Sequence, residues 1–118
     1  MEEFDIAIIG GGPAGIMAAI AASADLNIVL LEKNSSLGSK LLITGGGRCN
    51  ITNEKPIKKL LNSFHDKNFL KHSFYTFTNE MLLDLFRNRG LDFIVEDNNR
   101  VFPETEKSQD ILLSLIHI

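Results

Sequence analysis

The chain has 118 residues, of which 44% are hydrophobic and 23% charged, with one cysteine and a net charge of -3. This length allows one compact domain, and the charged residues are too few for a disordered chain. No apolar run reaches the roughly 20 residues that a membrane span needs, and a single cysteine cannot form an internal disulfide. The mildly acidic balance argues against a nucleic-acid partner. Composition therefore favours a soluble cytoplasmic α/β protein without a membrane or nucleic-acid partner.

The first 32 residues have the pattern of a strand, a helix and a second strand. Residues 4–9 are a short apolar run that ends in glycines, which is typical of a strand buried on both faces. The Ala-rich segment 13–24 follows, with Pro13 where the first turn of a helix tolerates proline. Residues 27–32 form a second β-branched run. These elements predict a βαβ unit with parallel strands and a right-handed crossover.

A G-x-G-x-x-G motif lies between the first strand and the helix. Gly10 permits the tight turn, Gly12 lets the backbone approach a pyrophosphate, and Gly15 lets the helix pack close to the strand. Free N–H groups at the start of the helix would face the phosphates. Glu32 ends the second strand, where a carboxylate can accept hydrogen bonds from both ribose hydroxyls. The pattern predicts dinucleotide binding; a purely structural glycine turn and an ordinary exposed strand-end acid are the alternatives.

A second glycine-rich loop covers residues 37–53, directly after the predicted ribose-binding strand. Glu32 disfavours a 2′-phosphate and thus NADP at this site, but the βαβ unit alone does not separate NAD from FAD. A glycine-rich loop in place of another helix and strand suits an extended ligand such as FAD. The three glycines at 45–47 expose N–H groups without side-chain obstruction, and Arg48 can complement phosphate or the negative charge of a reduced flavin.

The second half of the chain has the pattern of an α+β segment. After a weakly helical stretch at 54–77, a clear helix begins at Thr78 and stops at Gly90. Its predicted apolar face consists of Met81, Leu82, Leu85 and Phe86. A strand, a turn and a returning strand are predicted next, at residues 91–96, 97–99 and 100–102.

The second loop carries a resemblance to a known family. The run Thr-Gly-Gly-Gly-Arg-Cys-Asn-Ile-Thr-Asn at 44–53 resembles the second hallmark of the aminoacetone-oxidase (BaiN-like) family of FAD-dependent flavoproteins. Residues 5–19 resemble the FAD-binding start of that family, and residues 100–103 resemble a third landmark. The similarity extends from residue 4 to about 112. Ser39 departs from the family, in which arginine is commoner at this position.

The resemblance implies a two-dinucleotide-binding-type flavoprotein fold and an FAD-dependent oxidoreductase. Small amines or unsaturated carbon skeletons are the substrates that it implies, with NAD(P)H as a candidate electron donor. It identifies no catalytic residue, and a non-catalytic module that binds NAD or ADP is the alternative. The residues expected to bind the cofactor are Gly10, Gly12, Pro13, Ala14, Gly15, Glu32, Lys33, Lys40, Thr44, Gly45, Gly46, Gly47, Arg48, Cys49 and Asn50.

Several other residue types allow a second interpretation. Cys49 has no C-x-x-C partner, so we interpret it as a small residue packed near the flavin, with Asn50 as a hydrogen-bonding group near the ring. His65 and His72 lie seven residues apart but lack a third ligand nearby, so structural histidines are favoured over a metal site. The aromatic residues of this region are interpreted as packing residues, one of which could border a substrate pocket: Phe64, Phe69, Phe74, Tyr75 and Phe77.

The last residues have two interpretations. Residues 110–116 have the apolar spacing of an amphipathic helix, whereas residues 113–118 resemble the translation of a sequencing-transposon adapter end. We favour the adapter, which makes residues 1–112 the N-terminal part of an FAD-binding domain in a longer, truncated gene product. A chain of this length should then leave apolar faces uncovered, be inactive by itself, and bind FAD weakly or not at all.

Overall fold

The computed structural model describes residues 1–117, and its first three elements form the predicted βαβ unit. These elements are strand β1 (Ile6–Ile9), helix α1 (Pro13–Ala21) and strand β2 (Ile28–Leu31). The two strands pair in parallel, from Ile6 opposite Ile28 to Ile9 opposite Leu31. The Rossmann-like start of the chain is thereby confirmed.

The two-stranded sheet is covered on one face by α1 and is open on the other within the described part of the chain. Along β1, half-buried and exposed residues alternate, and the side chain of Ile9 is 85% exposed. The prediction that β1 is buried on both faces is therefore wrong for residues 1–117, because such burial needs a layer on each side of the sheet. The expectation that apolar faces stay uncovered agrees with this exposure.

Residues 37–53 are less loop-like than the sequence predicted. They contain helix α2 (Ser39–Ile43), a 3-10 turn (Thr44–Gly47) and the short strand β3 (Thr52–Asn53). A helix of five residues is too short to show a clear apolar period, which is why the sequence did not reveal it. Gly45 and Gly46 have φ values of +56° and +67° and end the helical path.

The middle of the chain is helical, as the weak pattern predicted. It forms α3 (Ile57–Leu61), α4 (Lys67–Thr76) and α5 (Asn79–Arg87). Thr78 caps α5 as predicted, and its Oγ1 accepts a hydrogen bond from the Met81 N–H at 3.2 Å. The predicted apolar face needs one correction: Leu83 and Phe86 are buried, whereas Met81 is 46% exposed. The face that meets the core follows the i, i+4, i+7 row from Asn79.

The predicted strand, turn and returning strand are confirmed. Strand β4 (Phe93–Glu96), a 3-10 turn (Asp97–Asn99) and strand β5 (Arg100–Pro103) form an antiparallel hairpin. Strand β3 pairs with the other edge of β5, which gives the order β3-β5-β4. The second loop therefore leads directly into a second sheet, separate from β1 and β2.

Helix α6 (Ser108–Ile116) completes the core between the βαβ unit and the helices that follow it. The Ser108 hydroxyl donates to the carbonyl oxygen of Leu42 at 2.7 Å, which joins α6 to α2. The buried core cluster consists of Ile16, Leu41, Cys49, Phe86, Ile111, Leu112 and Leu115. Residues 113–116 thus have the helical form that their spacing indicates, while Ile118 lies outside the described residues. The adapter interpretation of 113–118 stays a prediction.

Two substitutions in α6 should separate core packing from helix propensity. Ile111 is fully buried and Leu113 is 40% exposed on the same helix. Ile111→Ala should lower the free energy of unfolding by about 2–5 kcal/mol, because it leaves a cavity in the core. Leu113→Ala should cost less than about 1 kcal/mol. Urea unfolding followed by circular dichroism measures both values, and equal costs would contradict this placement of the helix.

Candidate functional site

The first glycine motif makes a turn that only glycine can form at two of its positions. Gly10 has a φ of +105°, and its N–H donates to the carbonyl oxygen of Leu31 at 2.8 Å. A Cβ on Gly15 would overlap the carbonyl oxygen of Gly10. These two glycines therefore allow α1 to begin directly behind β1, which is the packing role that the sequence predicted for Gly15.

Gly12 differs from these two glycines because nothing within the chain requires it. Its φ of -82° and ψ of -179° suit any residue, and a Cβ there would meet no atom within 4 Å. It caps the N-terminus of α1, where Pro13 and Ala14 are exposed and the first turn holds no acidic side chain. Open space in front of an uncompensated helix N-terminus fits the approach of an anionic group such as a pyrophosphate.

Glu32 connects the end of β2 to the glycine turn. Its Oε2 accepts from the Gly11 N–H at 2.8 Å, and its Oε1 accepts from the Asn34 N–H at 2.9 Å. The hydrogen bonds from the Asn34 and Gly11 backbones hold the pKa of this carboxyl below its ordinary value, so Glu32 is ionised at neutral pH. A carboxylate has about four acceptor positions, which leaves capacity for ribose hydroxyls. The side chain of the next residue, Lys33, is exposed.

Of the three consecutive glycines in the second loop, one is packed against its neighbours and two are open. A Cβ on Gly45 would lie 2.7 Å from the backbone nitrogen of Asn50 and 2.9 Å from Cε1 of Phe102. At Gly46 a Cβ would meet nothing within 4 Å, and at Gly47 its nearest neighbour would be 4.0 Å away. The loop therefore rests against β5 through Gly45 and presents open backbone at the next two residues.

A cavity of about 310 Å³ joins the start of α1 to the second loop. Five of the predicted residues line it, namely Pro13, Lys40, Thr44, Cys49 and Asn50. The sequence did not identify the apolar residues that complete the wall, which are Met17, Leu41, Ile51, Leu82, Phe86, Ile111 and Leu115. Leu82, Phe86, Ile111 and Leu115 stood out by their helical spacing in the sequence. Which elements share one cavity is decided by tertiary packing.

Cys49 is a buried thiol in the wall of this cavity. It is 3% exposed, and burial raises the pKa of its thiol above the ordinary value, against a smaller opposing effect of a hydrogen bond with Thr44. A thiol with a raised pKa stays protonated at neutral pH and is a poor nucleophile. This agrees with its interpretation as a small packing residue, while its proximity to a flavin stays a prediction.

Arg48 points away from the cavity towards the second sheet. Its guanidinium forms two parallel contacts with Glu96, from Nη1 to Oε1 at 2.6 Å and from Nη2 to Oε2 at 3.1 Å. Nη1 also donates to Oε1 of Glu106 at 3.0 Å, and Cζ lies 4.0 Å from the centre of the Phe102 ring. The sequence assigned this side chain to the cofactor, whereas its partners in the structure belong to the chain itself.

His65 and His72 belong to no metal centre in the described residues. Within residues 1–117, no group of three or more His, Cys, Asp or Glu side chains comes together.

Phe64 and Phe74 meet edge to face at 5.1 Å, and they line a second cavity of about 540 Å³ with Phe77. Phe69 is 79% exposed, so the interpretation of it as a packing residue is wrong. The second cavity adjoins the first at Asn50, Ile51 and Leu82.

A family model described as the HI0933-like protein Rossmann domain matches residues 4–117. The chain belongs to this family. The family resemblance predicted from the second loop is thereby confirmed, as is the Rossmann character of the fold.

Named relatives of this HI0933-like chain are enzymes. It is 34% identical over 110 residues to a 3-dehydro-bile acid delta(4,6)-reductase of Clostridium scindens, covering 91% of this chain and 26% of that protein. It is 33% identical over 112 residues to the ribosomal RNA dihydrouridine synthase of Escherichia coli, covering 92% and 27%. A mitochondrial dihydrolipoyl dehydrogenase of Caenorhabditis elegans is 39% identical over 74 residues, which are 62% of this chain and 13% of that enzyme. The chain spans about a quarter of the length of the first two relatives.

Gly15→Ala should mainly lower stability, whereas Gly12→Ala should mainly weaken ligand binding. Gly15→Ala should lower the free energy of unfolding by about 1–3 kcal/mol, because the added Cβ overlaps the Gly10 carbonyl. Gly12→Ala should cost less than about 1 kcal/mol but weaken dinucleotide binding at least about tenfold, because the methyl group occupies open space before the helix. Chemical unfolding and isothermal titration with FAD measure the two effects. Unchanged binding by Gly12→Ala would show that no ligand approaches this residue.

Glu32→Gln should lower stability in a pH-dependent way. The folded-state pKa of Glu32 is lowered from its ordinary value of 4.5, so its stabilising contribution is fully present above pH 4.5. The contribution is lost as the pH falls below that value through the lowered folded-state pKa. The difference between the two proteins in urea midpoint should therefore be largest near pH 7 and shrink towards pH 3. Glu104→Gln, at an exposed position, is the control, and a constant difference at all pH values would contradict the prediction.

Proposed function

We propose that this chain is the FAD-binding part of an FAD-dependent oxidoreductase. The observation that carries the proposal is the cavity that runs from the start of α1, at Pro13, to the second loop, at Thr44 and Asn50. A ligand that contacts both segments must be longer than an adenosine diphosphate unit at the first glycine motif. FAD and NAD both extend beyond the pyrophosphate, and the resemblance of the second loop to a family of FAD-dependent flavoproteins favours FAD.

The residues of the first motif would hold the adenosine half. The open backbone at Gly12 and the N-terminus of α1 would bind the pyrophosphate, with the turn fixed by Gly10 and Gly15. Glu32 would accept hydrogen bonds from the ribose hydroxyls with the acceptor positions that Gly11 and Asn34 leave free. The donor set thus fits an adenine dinucleotide without a 2′-phosphate.

The residues of the second loop would border the flavin half. Open backbone at Gly46 and Gly47 allows close approach, Lys40 supplies a positive charge, and Asn50 supplies an amide that can donate or accept hydrogen bonds. The apolar wall of the cavity, which includes Leu82 and Phe86, would exclude water. A bound flavin supplies hydride acceptance and delivery. The chain supplies position and a dry surface, and we assign no catalytic acid or base to its described residues.

We propose a small molecule as the substrate and NAD(P)H as a candidate electron donor. The acidic net charge of -3 supports a substrate other than nucleic acid, although one relative is named for ribosomal RNA. Among residues 1–117, no helix combines the length and the apolar character needed to cross a membrane. A cytoplasmic location is proposed because the single cysteine is an unpaired buried thiol, which suits a reducing compartment.

The competing function is a non-catalytic module that binds NAD or ADP, and ligand-dependent stability separates the two. A ligand present at 100 times its Kd stabilises the folded state by about 2.7 kcal/mol. FAD should therefore raise the thermal unfolding midpoint. ADP should raise it less because it ends at the pyrophosphate, and NAD should raise it less because the second loop is proposed to border a flavin. Differential scanning fluorimetry with each ligand measures the shifts, and flavin absorbance of the purified protein gives a second readout.

The variant Gly12→Ala is the matched control for that experiment. It should reduce the shift with FAD by about half or more. It should not lower the ligand-free midpoint appreciably, because a Cβ there contacts nothing in the chain. A larger shift with NAD than with FAD would favour the non-catalytic module. The absence of a shift with all three ligands would contradict ligand binding by this chain alone, and would agree with the expectation from its length that it binds FAD weakly or not at all.

A further inference from the structure

The second loop has an unusual backbone that needs support from the rest of the chain. Gly45, Gly46 and Gly47 all have positive φ values, and Cys49 has a φ of +62°, which is uncommon for a residue with a side chain. Glycines also lose more conformational freedom on folding than other residues do. A loop of this kind keeps one shape only where contacts to neighbouring elements offset these costs.

Arg48 is placed to supply such contacts. It stands between Gly47 and Cys49, and it is the only charged residue in the segment 44–50. Its paired contacts with Glu96 have the bidentate geometry that makes arginine–carboxylate pairs directional. Glu96 lies at the end of β4, so the ion pair joins the middle of the loop to the second sheet.

Phe102 provides a second contact between the loop and the same sheet. The Arg48 guanidinium lies over its buried ring, and Cε1 of that ring lies 2.9 Å from the point where a Cβ on Gly45 would stand. The Ile51 N–H donates to the carbonyl oxygen of Val101 at 2.9 Å. The second loop is therefore held against β5 at three residues, namely Gly45, Arg48 and Ile51.

The charges around Arg48 balance one another. Glu96 and Glu106 accept from its guanidinium, and Nη2 of Arg100 lies 3.8 Å from Oε2 of Glu96. Two arginines face two carboxylates, so the cluster offers little net positive charge to an anionic ligand. This balance argues against a direct contact between Arg48 and a phosphate or a reduced flavin.

We propose that Arg48 is a positioning residue, whose ion pair with Glu96 and contact with Phe102 hold the second loop in the shape that receives the cofactor. The part of this proposal that concerns the cofactor rests on the function proposed above. Arg48 acts through the loop backbone at residues 45–49 and does not itself contact the cofactor. Removing either member of the ion pair should therefore loosen the loop, and removing Arg48 should loosen it more because its contacts with Glu106 and Phe102 are lost as well.

A double-mutant cycle on the purified protein tests this role. Arg48→Gln should weaken FAD binding about tenfold, and Glu96→Gln should weaken it less, because it keeps the contacts of Arg48 with Glu106 and Phe102. The double variant should be no weaker than Arg48→Gln, because the contact with Glu96 is already lost there. Arg48→Lys should be nearly as weak as Arg48→Gln, since lysine keeps the charge but not the bidentate geometry. Arg87→Gln, which removes an exposed ion pair on α5, is the control and should bind FAD unchanged.

Two outcomes would overturn the proposal. If Glu96→Gln binds FAD as tightly as the unmodified protein while Arg48→Gln does not, the ion pair with Glu96 does not hold the loop in the shape that receives the cofactor. Restored binding in Arg48→Lys, together with a lowered flavin midpoint potential in Arg48→Gln alone, would show that Arg48 contacts the cofactor directly. A positioning role predicts that the potential of the remaining bound flavin is unchanged in both glutamine variants.

Hydrogen exchange of the ligand-free protein separates this proposal from the proposed function. The amides of residues 45–50 should exchange faster in Arg48→Gln and in Glu96→Gln than in the unmodified protein or Arg87→Gln. If exchange is unchanged, Arg48 does not hold the loop, whatever the affinity for FAD. If exchange rises but the unmodified protein binds no FAD, the proposed function fails and the attachment of the loop by Arg48 stands.

Discussion

The close approach of α1 to β1 is the constraint on which the rest of the structure depends. The helix begins directly behind the strand because Gly15 has no Cβ to meet the carbonyl oxygen of Gly10. This turn brings the Gly11 N–H to Glu32 and the Gly11 carbonyl to the Gly38 N–H, which lies 2.8 Å away. One turn therefore determines where β2 ends and where α2 starts, and so positions the second loop relative to the first.

The two glycine segments use the same residue type for different physical purposes. At Gly15 and Gly45, glycine relieves contact with neighbouring atoms of the chain, so these positions are structural. At Gly12 and Gly46, a side chain would meet nothing within 4 Å. Open backbone at these two positions is what the proposed FAD site requires. The sequence motif does not show which glycines are needed for packing and which leave space for a ligand, because glycine serves in both roles.

Local features of the sequence predicted most of the elements. The βαβ unit, the Thr78 cap and the hairpin of β4 and β5 all follow from short-range patterns, and the structure confirms them. The errors came from features that lack such a pattern. Helix α2 is too short to show a period, and the burial of β1 depends on layers outside the strand. Phe69 has the composition of a packing residue but no neighbouring element covers it within the described residues.

The sequence by itself determined the family, the dinucleotide-type turn and the acid that follows it, because their spacing along the chain reflects contacts between near neighbours. Only the tertiary structure decided the partners of Arg48. Glu96 and Glu106 lie 48 and 58 residues further along the chain, and no spacing rule connects them to the loop. The folding of β4 and β5 against the loop brings them to the guanidinium. The positive charge that the sequence assigned to a ligand is thereby paired with carboxylates of the chain itself.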